Sequence, residues 1–421
     1  MLKRLFVIFI ILIVSLNIFI PAVYAVLPDF ATLESTSDNV KVTKEKTYKT
    51  EESSIHTNAS PVFSFKSEAQ VLMEATTGEI IYANNENEKL YPASVTKIMT
   101  LLLIMEQIDS GNLKYTDTVT CSEAASKMGG SQIWFKPGES LTIDEALKCI
   151  CVVSANDVCY AMGELIGGSN ENFVQMMNNK AKELKMVNTN FMNVHGIDEE
   201  GHYTTAKDIA IMSRELITKH PDIYKYTTIW MDNIRGGTFE LANTNKLLKT
   251  YEGITGLKTG STSQAGFNLS ATATRNGLSL IAVVLKAPSS AIRNEEITQL
   301  LNYGFSTYSS TKLGAKGDVE GVITINKHIG EKVNVVLKQD EYLICKKGEN
   351  KEYEKIIEFD NIITAPISEN TVVGRLKYID KEGNNIHETD LVVQNEITKS
   401  TLKEYIKYII SIYSIKELKN K

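Results

Sequence analysis

Ser94 and Lys97 stand three residues apart in Ser94-Val95-Thr96-Lys97, a spacing that puts a hydroxyl and an amine on the same face of a helix. A serine hydroxyl is a poor nucleophile until a neighbouring base takes its proton. A lysine can be that base where burial or a nearby positive charge lowers its pKa. Two more motifs follow in order, Ser154-Ala155-Asn156 and Lys258-Thr259-Gly260. Each motif alone is weak. S-x-x-K recurs at Ser309 and Ser400, and Ser37-Asp38-Asn39 is a second S-x-N, placed before any S-x-x-K in a polar stretch that reads as linker. Only Ser94 is followed by both of the other motifs in order, and the ordered set describes a serine that becomes acylated.

The set assigns a role to each residue. Ser94 is the nucleophile and Lys97 its proton acceptor. Ser154 lies between the nucleophile and Lys258 and relays a proton to a leaving amine. Asn156 holds Lys97 or the substrate amide. Lys258 and Thr259 bind a terminal carboxylate, with Lys258 also adding a positive charge that lowers Lys97. Gly260 lets the substrate backbone lie close to a strand. The backbone N–H groups of Ser94 and Ser261 form the oxyanion hole. His195 and His202 read as loop histidines satisfied by hydrogen bonds. No residues cluster as a metal site, no glycine-rich phosphate loop is present, and Gly167-Gly168 and Gly236-Gly237 read as turns. No cofactor is expected.

These residues need a scaffold. Val71–Ala75 and Glu79–Ala83 flank Thr76-Thr77-Gly78 as a β-hairpin. Pro92-Ala93-Ser94 opens a helix that is apolar on nearly every side from Ile98 to Met105, as a helix in the middle of a domain is. Ser122 to Met212 reads as mainly helical. Residues 266–275 and 278–285 read as antiparallel strands around Asn276-Gly277, with the K-T-G ending another strand and a last helix over Glu295–Tyr308. Strands at both ends with helices between predict an α+β fold around one antiparallel sheet. Beyond residue 315, short strands at 319–325, 333–337, 372–378 and 389–393 predict a small all-β domain.

The 421 residues suffice for two domains plus tails, and 43% apolar content is ordinary for a globular chain. A net charge of −6 with no long basic block argues against nucleic acid as a partner. Residues 1–25 read as a secretory signal: Lys3 and Arg4, then an apolar run from Leu5 to Ile20, then small residues at a cleavage site after Ala25. The expected organisation is signal 1–25, flexible linker 26–66, serine-enzyme domain 67–310, β-rich domain 315–395 and an amphipathic helix 398–421. Leu402, Tyr405, Ile406, Ile409, Ile410, Ile412 and Tyr413 form that helix's broad apolar face. Its uncharged run is too short to span a bilayer, which favours lying on the membrane surface over docking on its own domain. The five cysteines, Cys121, Cys149, Cys151, Cys159 and Cys345, sit without a zinc pattern and predict no disulfide framework.

The chain resembles the low-molecular-mass penicillin-binding proteins of the D-alanyl-D-alanine carboxypeptidase family, peptidase family S11 of the serine β-lactamase-like superfamily. The resemblance covers about residues 67–421 and is carried by YPASVTKIMT, VVSANDV, the run leading into His195-Gly196, HYTTAKD, NTNKLL, GITGLKTGST and APSSAIRNEE. It implies a transpeptidase-like domain, a β-rich C-terminal domain, an amphipathic anchor and action outside the cytoplasmic membrane. It also implies removal of the terminal D-Ala from peptidoglycan stem peptides through a Ser94 acyl-enzyme, with β-lactams as covalent inhibitors. The family usually has small or aliphatic residues where Cys149, Cys151 and Cys159 fall. Three alternatives stay open: a D,D-endopeptidase acting on cross-links, a class A-like β-lactamase using an extra glutamate such as Glu171 or Glu183, and a catalytically silent wall-binding protein.

Overall fold

The computed structural model describes residues 40–43, 63–329, 332–349, 352–360, 363–408 and 410. The signal read over 1–25, most of the linker and the last turns of the C-terminal helix lie outside the described residues. The described chain forms two compact units. One holds residues 63–313 with 342–349, and the other holds 40–43, 314–341 and the residues from 352 onward.

The first unit is built on a five-stranded antiparallel sheet. Its strands run in the order Ile80–Asn84, Ala69–Glu74, Leu278–Ala287, Gly266–Arg275, Ile254–Thr262. Side chains alternate between its faces, as the pleat requires. Val71, Met73, Ile281, Val283 and Leu285 pack into the helical cluster. Leu72, Leu280, Ala282 and Val284 pack instead against Ile297, Leu300 and Leu301 of the Ser290–Thr307 helix. The sheet is therefore the middle layer of three, and the expected α+β architecture is the one seen.

The Lys97–Asp109 helix is buried continuously from Lys97 to Met105. Truncating Leu101, Leu102 or Ile104 to Ala would cost about 2–5 kcal/mol each. This burial fixes Lys97 in place, because the helix cannot rotate or slide without exposing an apolar surface.

Several elements differ from the sequence reading. Ser94 is not in the α-helix: Ala93–Thr96 forms a 3₁₀ turn, entered through Ala93 at φ 49°, and the α-helix begins at Lys97. The K-T-G lies inside its strand, which continues to Thr262. The last helix starts at Ser290, five residues before the expected Glu295, because the Ser289 hydroxyl accepts from the Ile292 N–H as an N-cap. Within the stretch read as a linker, Val40–Thr43 is a strand paired with Glu354–Phe359.

The second unit is a six-stranded antiparallel sheet ordered Val40–Thr43, Glu354–Phe359, Val372–Ile379, Asn385–Val393, Val333–Leu337, Val319–Ile323. The strand Glu354–Phe359 escaped the sequence reading because Glu and Lys interrupt its apolar residues. Tyr308–Gly314 and Glu341–Lys346 form a separate two-stranded sheet. Residues 402–408 are helical. No helix among the described residues is long and apolar enough to cross a membrane.

Candidate active site

The three motifs converge in the first unit. Lys97 Nζ is wholly buried and lies 3.0 Å from Ser94 Oγ, 2.6 Å from Asn156 Oδ1 and 2.7 Å from the main-chain oxygen of His195. Asn156 cannot turn away, since its Nδ2 donates to Gly129 O (2.7 Å) and its main-chain N–H to Ser131 O (2.7 Å). The next residue, Asp157, accepts from the N–H groups of Ile133 and Phe135 at 3.0 Å each. The S-x-N segment thus clamps the 129–135 loop on one side and Lys97 on the other.

Burial pulls Lys97 down to about 8, against a partial offset from Cys159 and Asp157. A lysine with that pKa supplies a neutral amine in about a tenth of molecules at neutral pH. Lys258 is also fully buried, and its Nζ donates to its neighbour's carbonyl, Thr259 O, at 2.9 Å. Burial and then the charge of Lys97 lower it to about 7. The expected electrostatic help from Lys258 to Lys97 thus falls mainly the other way. Two ammonium groups in one dry site disfavour each other, and their protons leave as a pair's protons rather than one residue's.

Ser154 ends a single π-turn, Cys149–Val153, and takes the left-handed conformation (φ 65°, ψ 32°). Its Oγ is buried without a hydrogen-bond partner. Buried hydroxyls are nearly always satisfied, and backbone strain of this kind collects at functional sites. Ser154 Oγ is thus a buried hydroxyl with unused hydrogen-bonding capacity among the described residues.

Two glycines set the closeness of the parts. A β-carbon on Gly260 would lie 2.8–2.9 Å from Pro92 O and from the amide nitrogens of Ser94 and Val95. A β-carbon on Gly196, at φ +93°, would lie 1.9 Å from Ala93 O. The Ser94 turn is therefore pressed between the K-T-G strand and the His195-Gly196 loop. The absence of a side chain at Gly260 admits the turn that carries Ser94. Asn268 adds a tie on the same side, donating to Tyr91 O and Pro92 O. Thr259 Oγ1 is 2.6 Å from Thr244 Oγ1, and Ser261 lies exposed on the same edge strand.

Sequence reasoning missed two participants. One is the His195 carbonyl, which holds Lys97 although no side-chain motif marks it. The other is Arg293, which is 5% exposed on the Ser290–Thr307 helix. Its guanidinium donates to Asn268 O and Asn294 Oδ1, and its charge reaches Lys258. No carboxylate pairs with it among the described residues. Arg293 lies within a matching stretch, but only the fold brings it beside the K-T-G strand. Lys97, Lys258 and Arg293 together make a buried cationic site, and a buried charge of this kind calls for an opposite one.

Both histidine rings are engaged in hydrogen bonds with neighbouring loop or turn residues. His202 Nδ1 accepts from Met192 N–H, so its Nε2–H faces Thr96 Oγ1 at 2.8 Å; burial lowers it to about 4. His195 Nδ1 accepts from Ile197 N–H, and burial and Lys97 lower it to about 3. All five cysteines are buried thiols rather than disulfides. Burial raises Cys151 to about 12 and Cys159 to about 11, so both are packing groups at neutral pH. Glu171 is exposed in the first turn of its helix and Glu183 is exposed and paired with Lys180, neither touching Lys97 or Ser94.

A family model described as D-alanyl-D-alanine carboxypeptidase matches residues 54–289, and one described as penicillin-binding protein 5, C-terminal domain, matches residues 308–399. The chain is 40% identical to D-alanyl-D-alanine carboxypeptidase DacF of Bacillus subtilis, over 81% of this chain and 88% of that one. It is 33% identical to DacC of Escherichia coli, also a D-alanyl-D-alanine carboxypeptidase, over 78% and 84%. Among solved structures, penicillin binding protein 5 from Haemophilus influenzae aligns with a TM-score of 0.62 at 29% identity, over 81% of this chain and all of that one. Penicillin-binding protein D2 from Listeria monocytogenes, in its ampicillin-bound form, aligns with a TM-score of 0.54 at 28% identity, over 58% of this chain and 100% of that one.

Proposed function

The chain belongs to the D-alanyl-D-alanine carboxypeptidase family, and from that premise we propose how its residues remove the terminal D-Ala from peptidoglycan stem peptides. Ser94 Oγ attacks the carbonyl of the penultimate D-Ala. Neutral Lys97 takes the hydroxyl proton across the 3.0 Å contact. The carboxylate of the terminal D-Ala enters the buried cationic site beside Lys258, Thr259 and Arg293. That anion draws the proton shared by the two lysines onto Lys258 and leaves Lys97 neutral, so substrate binding itself arms the base. Backbone N–H groups of Ser94 and Ser261 face the developing oxyanion. Ser154 relays the proton that Lys97 took from Ser94 to the departing amine, which leaves Lys97 neutral again. Water then releases the acyl-enzyme, with Lys97 again as base.

The observation that carries this reading is the Lys97–Ser94 contact at a depressed lysine pKa, beside buried cations that form no ion pair with a carboxylate among the described residues. β-Lactams, which carry the same carboxylate and a reactive amide, acylate the same serine. Exposed Glu171 and Glu183 give no support to a β-lactamase route. Action on the wall puts the catalytic unit outside the cytoplasmic membrane, and residues 1–25 serve as its export signal. The helix from residue 402 rests on the membrane surface.

Mass spectrometry of penicillin-treated protein tests the acylation step. The penicilloyl adduct is expected on the peptide containing Ser94 and should persist for many minutes. An adduct elsewhere would remove Ser94 from the account, and rapid loss with catalytic penicillin turnover would favour the β-lactamase alternative.

A further inference from the structure

Trp134 is 66% exposed, and its backbone is left-handed at φ 54°. The residues on either side of it, Ile133 and Phe135, are buried, and their N–H groups both end on the Asp157 carboxylate. From the other side Arg235 donates to Ile133 O (3.0 Å) and Trp134 O (3.5 Å), and Glu139 holds Arg235 in turn (2.6 Å). A large ring is thus held out into water by a strained, doubly anchored backbone, which folding alone does not require. Phe239 meets Trp134 edge-on with centroids 6.1 Å apart, and Met231 on the same hairpin is also exposed.

Both supports of this platform lead into the catalytic cleft. Asp157 follows Asn156, which holds Lys97. The strand Phe239–Ala242 runs on to Thr244, bonded to Thr259. The four stem residues between the sugar and the scissile carbonyl extend over about 13 Å. Ser94 connects through Lys97, Asn156 and its neighbour Asp157 to the Ile133 and Phe135 amides that flank Trp134. Exposed Ser131, Lys136 and Asn233 lie on the same loop and hairpin. An exposed flat ring, with a hydroxyl, an amine and an amide exposed on the same loop and hairpin, suits a pyranose, which offers an apolar face and a polar rim.

We propose that Trp134, backed by Phe239, is a glycan subsite on which an amino-sugar ring of the wall stacks while the stem peptide attached to it occupies the cleft. The assignment rests on the reading of the site as acting on stem peptides. It makes the disaccharide-bearing substrate, not the free peptide, the preferred ligand.

The test is a four-way affinity comparison by calorimetry. It uses the full chain carrying Ser94→Ala, with and without Trp134→Ala, against a disaccharide-pentapeptide and the same pentapeptide without sugar. Removing the sugar or the ring should each weaken binding about tenfold, and removing both should weaken it no further. Trp134→Phe should retain most of the affinity. Equal weakening of both ligands by Trp134→Ala, or no sugar contribution in the parent, would overturn the proposal. With Ser94 intact, Trp134→Ala should leave penicillin acylation unchanged, so slowed acylation would mark a merely structural ring. If D-Ala release fails while the four affinities behave as stated, the carboxypeptidase reading falls and the glycan subsite stands.

Discussion

Lys97 Nζ is held by the main-chain oxygen of His195 at 2.7 Å, so this amine is positioned by a peptide group and not by the imidazole next to it. Neighbouring residues should therefore respond in opposite ways to substitution. His195→Ala keeps the carbonyl and should hold the penicillin acylation rate within several-fold of the parent. Gly196→Ala drives a β-carbon into Ala93 O from a left-handed backbone. It should lower acylation at least about a hundredfold and cost about 1–3 kcal/mol of stability. Stopped-flow acylation and thermal melts on both variants check the pair; loss of acylation in a fully stable His195→Ala protein would contradict the assignment.

Acylation should gain speed with rising pH and level off above about 8, as Lys97 loses its proton. Asn156→Asp would put a carboxylate where the amide oxygen now meets Nζ. The favoured form becomes the ammonium, so the rising limb should move up by about 1–2 pH units. A pH–rate profile of penicillin acylation reads the shift, and an unmoved limb would mean that Lys97 is not the titrating base.

Lys258 gives a stability prediction of definite sign. Its folded pKa, about 7, lies below its ordinary value of 10.5, so the unfolded chain binds more protons between those values. Stability from this group therefore rises with pH from about 7 towards 10.5, and the charged lysine burdens the fold most below neutrality. Lys258→Met should raise the melting temperature clearly at pH 6 and little at pH 10, while abolishing peptide cleavage. Melting curves across that range test it, and a gain that grows with pH would contradict it.

Arg293→Gln removes a buried cation and leaves a similar shape. KM for a peptide ending in a D-Ala carboxylate should rise about tenfold to a hundredfold. The same peptide with a terminal amide should be equally poor for parent and variant. A uniform fall in kcat on both peptides would make Arg293 a packing residue.

On the 402–408 helix, Leu402 and Ile406 are 77% and 50% exposed. Truncation at residue 398 should abolish sedimentation with anionic liposomes while leaving penicillin acylation intact. Undiminished sedimentation would refute the anchor.

The grouping of Ser94, Lys97 and Asn156 was legible because chemistry fixes the residue types and local spacing that such a site needs. Ser94 and Lys97 are one turn apart, and that proximity survives the replacement of α-helix by a 3₁₀ turn. Strands such as Leu278–Ala287 were legible because unbroken apolar runs accompany burial on both faces. The His195 carbonyl and Arg293 were not, because their roles depend on contacts between segments 98 and 25 residues apart in sequence, with Lys97 and Asn268 respectively. The Cys149–Val153 π-turn was also hidden, since its residues read as an ordinary apolar helix end. The charged, short strands of the second unit gave weak alternation, and pairing across the sheet overrides it.

The central claim is that Ser94, armed by Lys97, cleaves the bond before a terminal D-Ala. The most direct test is D-Ala release from a synthetic peptide ending in D-Ala-D-Ala, by the full chain and its Ser94→Ala variant. Release by the parent, blocked by penicillin and absent in the variant, is the predicted result. Release that persists in Ser94→Ala, or a folded parent that releases none, would contradict the account.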